Sequence, residues 1–299
     1  MTDDFKTGRG MNITSDRIDA HHHLWHYTPD DYGWINEEMG LLRRDFLPSD
    51  LKPLLDRAGI HGAIAVQARQ TLEETRWLLS LAEDEADSNP WMKGVVGWAP
   101  IASPDFPETL ARLRQCKKLK GLRHIVQDEP DDQFLLSQAF NRGIRSLRDT
   151  GLVYDILIHA RHLPQTVRFV DTHPDQSFVL DHCAKPPILS RDVEPWASHM
   201  RELAKRPNVC CKLSGLVTEA DWQRWTPVHL EPYWRLVLEA FGPARLLFGS
   251  DWPVALLASS YQRWIDTVTK WVAPLSASEQ EAIFGGTASR VYSLEGESR

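Results

Sequence analysis

A strand near the start of the chain reads Ile18-Asp19-Ala20-His21-His22-His23-Leu24-Trp25, with histidines following an apolar run. Residues i and i+2 of a strand share a face, so His21 and His23 can point at one place. Far along the chain, the run Arg245-Leu246-Leu247-Phe248-Gly249-Ser250-Asp251-Trp252-Pro253 brings Asp251 to the end of a second apolar strand. The two ends can meet only if the sheet closes on itself, as in a barrel of parallel strands with its chemistry at their carboxyl ends.

The chain between these segments repeats one unit, a short strand followed by a longer amphipathic stretch. The pattern predicts eight strands, at Arg17–Leu24, Gly62–Gln67, Gly94–Ile101, Leu119–Val126, Val153–Ala160, Ser177–Ala184, Val209–Gly215 and Arg245–Ser250. Strands that alternate with helices indicate a parallel sheet, and eight units indicate an α/β fold of the (β/α)8 TIM barrel type. An open doubly wound sheet is disfavoured because the sequence contains no GxGxxG or GxxxxGK[ST] turn.

Helical periodicity and start signals predict the segments between the strands. The predicted helices are Leu51–Ala58 after a Pro48-Ser49-Asp50 start, Thr71–Asp87, Pro104–Cys116, Gln133–Asp149, Pro164–Thr172, Glu194–Lys205, Glu231–Phe241, Tyr261–Val272 and Ser278–Phe284. Thr71 and Glu74 have the spacing of a capping box. No linker or repeat divides the chain, so we predict one barrel domain over residues 17–294, with a flexible tail at residues 1–16 and a short one at 295–299.

Composition limits the partners and the compartment. The 299 residues are 42% hydrophobic and 25% charged, with a formal net charge of −7, so a nucleic-acid partner is not expected. The start of the chain has no apolar signal-peptide region, and no apolar run reaches the ~18–20 residues of a membrane span. The four cysteines, Cys116, Cys183, Cys210 and Cys211, form no CxxC pair. Reduced thiols and a cytoplasmic location, without a membrane partner, fit this pattern.

Polar side chains recur where the predicted strands end, which is the layout expected of a barrel enzyme. In chain order these residues are His21, His23, Gln67, Trp98, Arg123, His124, His159, His182, Lys212, Ser214 and Asp251. We expect the side chains of His21, His23, His182 and Asp251 to converge at one mouth of the barrel, although they are distant in sequence.

Each of these four residues has two interpretations. His21 and His23 suit metal ligation or hydrogen bonding to a developing oxyanion, and the alternative is a polar surface cluster. Asp251 could act as a general base that activates water. The alternative is that Asp251 is the N-cap of a helix, because Pro253 close behind it is typical of a helix start. His182 is a candidate for the same site, and the alternative is a core histidine that is hydrogen-bonded to the backbone.

Further residues are candidates for binding substrate. Only one of Arg123 and His124 can face the interior, and an arginine there offers a rigid fork for substrate oxygens, whereas outside it would form a salt bridge. His159 ends a strand in the same way as His182, and Lys185 binds substrate or lies in a solvated loop. Asp181 is expected to face away from His182 and to pair with a neighbouring strand.

Tryptophan is unusually frequent, with 12 residues. Most are expected in the core or in helix packing. Trp25, Trp98 and Trp252 border predicted strand ends, where an aromatic face can stack on the apolar side of a sugar ring.

Together the strand-end motifs resemble those of the amidohydrolase superfamily, and more narrowly its TIM-barrel sugar lactonases and 2-pyrone-4,6-dicarboxylate lactonases. The resemblance covers Ile18 to about Leu294. The motifs behind it are Asp19-Ala20-His21-His22-His23-Leu24-Trp25, Lys120-Gly121-Leu122-Arg123-His124, Leu180-Asp181-His182, Lys212-Leu213-Ser214-Gly215 and Phe248-Gly249-Ser250-Asp251-Trp252-Pro253.

The resemblance implies roles for individual residues. His21 and His23 match the family's first-strand histidines, His182 its sixth-strand histidine and Asp251 its catalytic aspartate. Many superfamily members bridge two metals with a modified lysine that ends the fourth strand, but here that strand ends in Arg123-His124. We therefore expect one divalent ion, most plausibly zinc, bound by His21, His23, His182 and Asp251, or no metal at all.

The implied function is hydrolysis of a small-molecule sugar lactone, with Asp251 taking a proton from the attacking water. A rival on the same scaffold is a metal-dependent decarboxylase of an aromatic or muconate-type acid, which would need a bound metal and a carboxylate-binding arginine. A rival of another class is an inactive barrel that only binds a ligand, and the presence of His21, His23 and Asp251 disfavours it. The sequence leaves the oligomeric state open.

Overall fold

The computed structural model describes residues 16–83 and 89–294, and over these ranges the chain forms a (β/α)8 TIM barrel. Its strands are β1 (Ile18–His22), β2 (Gly62–Val66), β3 (Met92–Gly97), β4 (Leu119–Ile125), β5 (Val153–Leu157), β6 (Phe178–Leu180), β7 (Val209–Leu213) and β8 (Leu246–Phe248). They are parallel and follow one another around the sheet in chain order. The predicted fold class is confirmed. The predicted tails lie outside the described residues, apart from Asp16.

The helices pack outside the strands. They are α1 (Pro48–Ala58), α2 (Leu72–Glu83), α3 (Phe106–Leu113), α4 (Gln138–Arg145), α5 (Leu163–Asp171), α6 (Trp196–Ala204), α7 (Pro227–Phe241), α8 (Tyr261–Val272), α9 (Ala277–Glu281) and α10 (Thr287–Val291). Within the described ranges, no helix combines the length and the apolar character that crossing a membrane requires. The end predicted for the second helix, Asp87, falls outside the described residues.

Three helix predictions need correction. The segment Gln133–Asp149 is not one helix, because the Ser137 hydroxyl accepts a hydrogen bond from the Phe140 amide and starts α4 after a separate 3-10 turn. The last helix continues beyond Phe284 through a π-helical segment, Ala282–Gly286, into α10. Thr71 caps the Glu74 amide as expected, but the Glu74 carboxylate accepts from the amides of Ala68 and Arg69 instead.

Several strands end earlier than the apolar runs suggest. β6 ends at Leu180 rather than Ala184, and β8 ends at Phe248 rather than Ser250. The polar residues that follow, including His182 and Asp251, therefore lie on irregular backbone above the barrel and not in the strands. This frees their side chains from the strict alternation of faces in a strand.

The carboxylate of Asp19 joins the first strand to the segment after the last one. Its Oδ1 accepts hydrogen bonds from the amides of Ser250 (2.8 Å) and His21 (3.1 Å), and the Tyr261 hydroxyl donates to Oδ2. Backbone bonds continue the seam, from the Asp251 amide to the His21 carbonyl and from the His23 amide to the Trp252 carbonyl. These contacts hold β1 and the end of β8 side by side.

A charged layer lies inside the barrel, below the mouth. The Lys212 ammonium contacts the carboxylates of Asp155 and Asp181, and all three side chains are fully buried. Tyr292 is the residue after α10, and its hydroxyl donates a hydrogen bond to the Asp155 carboxylate. Burial raises the pKa of Asp155 to about 6, although Lys212 opposes this. The layer depends on Lys212, because Lys212 is the cation that the two buried carboxylates share, and a buried carboxylate that loses such a partner is costly.

Replacement of Lys212 by Met should destabilise the protein by about 3–5 kcal/mol at pH 8, because it removes the shared partner of two buried acids. The loss should be smaller at pH 5. The pKa of Asp155 is raised in the folded state. A protonated Asp155 carries no charge and needs no cation, so at pH 5 the loss of Lys212 costs less. This relief is lost as the pH rises through the folded-state pKa of Asp155. Denaturant unfolding at both pH values measures this.

Lys205→Met is the matched control, because Lys205 forms an exposed ion pair with Glu202. It should cost less than about 1 kcal/mol at either pH. Equal effects of the two substitutions would contradict the role assigned to the buried layer.

Candidate active site

Four side chains that are distant in sequence meet at the carboxyl ends of the strands. Asp251 Oδ1 lies 3.5 Å from His23 Nε2, 3.8 Å from His21 Nε2 and 3.9 Å from His182 Nε2. The two first-strand histidines face each other with their Nε2 atoms 3.2 Å apart. All four residues are buried. The structure therefore brings together the constellation expected from the strand ends.

A hydrogen bond of His23 and a carboxylate contact of His21, each at the far side of the ring, define how the two histidines face this centre. His23 Nδ1 donates to the Val66 carbonyl at 2.8 Å, so its Nε2 has a free lone pair when the ring is neutral. His21 Nδ1 lies 3.4 Å from Asp181 Oδ1, and a proton there is attracted to the carboxylate. Burial lowers the pKa of His21 well below its ordinary value, with Asp181 opposing. Both rings thus direct acceptor nitrogens at the same point.

Asp251 completes the set with a carboxylate. Its backbone is left-handed, with φ of 56°, and it lies three residues beyond Phe248, the last residue of β8. The 3-10 turn that follows begins after Pro253 and receives no side-chain cap, so Asp251 is not acting as an N-cap. Burial would raise the pKa of Asp251, but His182, His23 and Lys185 outweigh it and hold the pKa below its ordinary value. At neutral pH this group is an ionised carboxylate.

His182 reaches the site through an unusual backbone. Residues 182–185 all have positive φ values, between 49° and 58°. Left-handed backbone costs roughly 1–2 kcal/mol per non-glycine residue, and such strain concentrates at functional sites. The His182 Nδ1 atom is hydrogen-bonded to the Ser214 hydroxyl at 2.9 Å, which orients Nε2 towards Asp251. Burial lowers the pKa of His182 to about 4.

The side chains present fit a divalent cation. His21, His182 and Asp251 offer ligand atoms within 4.8 Å of one another, and His23 Nε2 points at the same centre. Neutral imidazoles and an ionised carboxylate are the forms that bind metal. Lone pairs that face each other at close range repel unless a proton or a cation lies between them. Nitrogen and oxygen donors of this kind are among those that bind zinc and other divalent ions in proteins.

Arg123 lies beside this centre, inside the barrel. Its Nη1 contacts Asp181 Oδ2 at 3.0 Å and lies 3.4 Å from His21 Nε2. Its Nη2 donates to both the carbonyl and the side-chain oxygen of Gln67. The guanidinium is therefore largely engaged by protein groups, while the side-chain nitrogen of Gln67 is buried without a partner among the described residues.

Comparison with known proteins identifies the family of this chain. The amidohydrolase family model matches residues 18–294. The chain belongs to the amidohydrolase family. This confirms the resemblance that the strand-end motifs indicate.

Three relatives refine the place of this amidohydrolase within the family. It is 45% identical over 289 residues to an L-fucono-1,5-lactonase of Burkholderia multivorans, covering 93% of this chain and 96% of the relative. It is 38% identical over 283 residues to an L-fucono-1,5-lactonase of Burkholderia ambifaria, with the same coverage of each. An amidohydrolase of Burkholderia multivorans whose crystal structure contains bound zinc aligns with a TM-score of 0.90 and 44% identity, over 94% of this chain and all of that one.

The other predicted binding residues are distributed around the site. The Lys185 side chain lines the cavity above Asp251, together with Arg123. His159 is half-buried close to Lys185, which together with burial lowers its pKa to about 4. His124 is on the outer side of the sheet, where it stacks on Phe134 and contacts Glu129. Of the Arg123–His124 pair, arginine is therefore the residue that faces inwards.

The three tryptophans proposed to stack on a sugar are placed elsewhere. Trp25 is fully buried against Phe46, and Trp252 is also buried and contacts the same Phe46 ring. Trp98 donates from its indole nitrogen towards His124, on the outer side of the sheet. None of the three lines the cavity within the described residues. Their positions reflect the early ends of the strands, because the residues after a strand turn into the packing between strands and helices.

Some supporting residues were not singled out by the sequence. Asp181 was expected to face away from His182, but β6 ends before it and both side chains point inwards, where Asp181 contacts Arg123 and Lys212. Asp19 and Lys212, which the sequence places in the quoted motifs without a role, are polar residues inside apolar strands. That pattern is itself a signal, since a buried charge requires a partner.

Gly215 is the glycine on which the position of His182 depends. It has φ of 64°, and a Cβ there would lie 2.5 Å from His182 Nδ1. Gly215→Ala should therefore displace the imidazole and lower the affinity for zinc by about 10–100-fold, the usual effect of disturbing the support of a ligand. Isothermal titration of zinc into metal-free protein measures it.

Gly59→Ala is the control for backbone strain. Gly59 also has φ of 64°, but the nearest atom to an added Cβ lies at 3.9 Å. Both variants incur a similar strain of about 1–2 kcal/mol, and only Gly215→Ala should weaken zinc binding. Unchanged zinc affinity in Gly215→Ala would rule out the proposed dependence.

Proposed function

We propose that this amidohydrolase opens a sugar lactone, an aldonolactone such as L-fucono-1,5-lactone, by adding water to the ester carbonyl. The observation behind the proposal is the ionised Asp251 carboxylate within 4 Å of three histidine nitrogens in a cavity. The names of the relatives at 45% and 38% identity support the substrate class. The cytoplasmic location stays a prediction.

Asp251 is the general base in this proposal. It lines the cavity and has a carboxylate that stays ionised, so it can accept a proton from a water molecule there. The resulting hydroxide attacks the lactone carbonyl and forms a tetrahedral intermediate. When the ring opens, Asp251 returns the proton to the leaving ring oxygen, and the product is a hydroxy acid. Proton transfer of this kind typically increases the reaction rate by ~10²–10⁴-fold.

His21, His23, His182 and Asp251 would hold one divalent ion, and we propose zinc. Such an ion supplies Lewis-acid polarisation of a carbonyl oxygen. The chain's own contribution is to lower the pKa of His21 and His182 by burial and to hold all three rings in the correct rotation. Val66 and Asp181 fix the rings of His23 and His21, and Ser214 fixes that of His182. With protons on the outer nitrogens, His21 and His23 suit ligation better than donation to an oxyanion.

Lys185 is proposed to bind substrate oxygens. Its side chain lines the cavity near Asp251, on the strained turn that also positions His182. A cation there can interact with ring hydroxyls, or with the carboxylate that hydrolysis produces. Arg123 is less suited to this, since Asp181 and Gln67 already engage it. The same engagement disfavours the decarboxylase alternative, which needs a free arginine for a substrate carboxylate.

Asp251→Asn tests the proposed base. Asparagine keeps the size of the side chain but cannot accept the proton, so kcat on a lactone should fall by ~10²-fold or more while substrate binding persists. A pH-indicator assay of acid release measures kcat, and the melting temperature shows whether the variant folds. A folded variant with near-wild-type kcat would refute the mechanism.

Metal removal tests the proposed ion. Dialysis against a chelator should abolish most lactone hydrolysis, and zinc should restore it with one ion per chain by elemental analysis. Arg123 at the end of β4 leaves no lysine there to bridge a second ion, so one ion is the expected limit. Full activity in protein shown to be metal-free, or two tightly bound ions per chain, would contradict the assignment.

A further inference from the structure

The cavity at the active site is lined by two kinds of side chain. One kind is polar and includes the groups discussed above. The other is apolar and consists of Trp34, Ala68, Ile125, Leu157 and Val254. A hydrolytic site needs no apolar lining for its chemistry, so this part of the surface must recognise the non-reacting part of a ligand.

Trp34 differs from the other apolar residues because it is exposed. It lies in the long segment between β1 and α1, and 37% of its surface is accessible to solvent. Four large hydrophobic residues in the described part of the chain are this exposed, and Trp34 is the one among them that lines the cavity. A large aromatic ring left in water at a binding site is typical of a surface that a ligand covers.

The Trp34 ring is also held in place. It meets the buried Trp25 ring at a centroid distance of 5.9 Å and an angle of 89°. Perpendicular contact of this kind is a favourable geometry for two aromatic rings. Trp25, in turn, is anchored by a hydrogen bond from its indole nitrogen to the Arg44 carbonyl. Trp34 is thus an aromatic surface on a firm support and not an isolated loop residue.

We propose that Trp34 is a substrate-binding residue whose indole face stacks on the C–H face of the lactone ring. The inference rests on the proposed function, and it names the residue that recognises the sugar. Trp34 takes the role that the sequence suggested for Trp25, Trp98 and Trp252. Its ring packs against Trp25, which takes no part in the proton transfers, so we expect Trp34 to contribute to binding equally before and during the reaction.

Substitution kinetics separate this role from a structural one. Trp34→Ala should raise the KM for the lactone by roughly 5- to 20-fold and leave kcat within about threefold, as expected for loss of uniform binding. Trp34→Phe keeps an aromatic face and should raise KM by less than about threefold. Leu41→Ala is the control, because Leu41 is exposed on the same segment but does not line the cavity, and KM should not change.

A binding measurement makes the test independent of catalysis. L-Fucose has the corresponding pyranose ring but no ester to hydrolyse, and its Kd is measured by calorimetry. Trp34 is the tryptophan that lines the cavity in residues 16–83 and 89–294. L-Fucose should therefore change the intrinsic fluorescence of the wild type, and Trp34→Phe should lose this change while it still binds the sugar.

The outcomes distinguish the two proposals. Lactone hydrolysis by the wild type, with KM and Kd unchanged in Trp34→Ala, overturns the stacking and leaves the lactonase intact. L-Fucose binding that depends on Trp34, without hydrolysis of any lactone, supports the stacking and overturns the lactonase. Absence of both hydrolysis and L-fucose binding in the wild type overturns both.

Discussion

The carboxylate of Asp19 is the contact on which the rest of the site depends. It accepts hydrogen bonds from the amides of His21 and Ser250, so it joins the first strand to the segment after the last. One of these amides belongs to His21 itself, and the other belongs to the residue that precedes Asp251. If the seam opened, His23 and Asp251 would separate, because they belong to opposite ends of the chain and meet only through barrel closure. The site and the closure of the fold are therefore one structural problem.

Beneath the site, charge is balanced inside the barrel instead of being excluded from it. Asp181 contacts Arg123, Lys212 and His21, and so connects the buried ion pairs to a proposed metal ligand. A buried carboxylate without these cations would be protonated or would destabilise the fold. Burial lowers the pKa of His21 although Asp181 opposes this, and Asp181 contacts the His21 ring, which links the stability of the barrel interior to the chemistry at its mouth.

Much of the architecture was readable before the structure was known. Alternating strand and helix patterns predicted the eight strands and the closed barrel, and the ends of the strands indicated His21, His23, His182 and Asp251. The ends of the strands were harder to predict, because an apolar run does not reveal where the backbone leaves the extended conformation. β6 and β8 end earlier than predicted. The predicted direction of Asp181 and the predicted surroundings of Trp25 and Trp252 were wrong for this reason.

By itself, the sequence determined that eight strands form one parallel barrel, which polar residues follow the apolar runs, and which family the motifs resemble, because hydrophobic periodicity and residue spacing are local properties. Only the tertiary structure decided that Asp251 faces three histidines and caps no helix, that Arg123 is engaged by Asp181 and Gln67, and that Trp34 is the aromatic residue at the cavity. The reason is physical: side-chain direction at a strand end depends on left-handed turns and long-range contacts that no local pattern encodes.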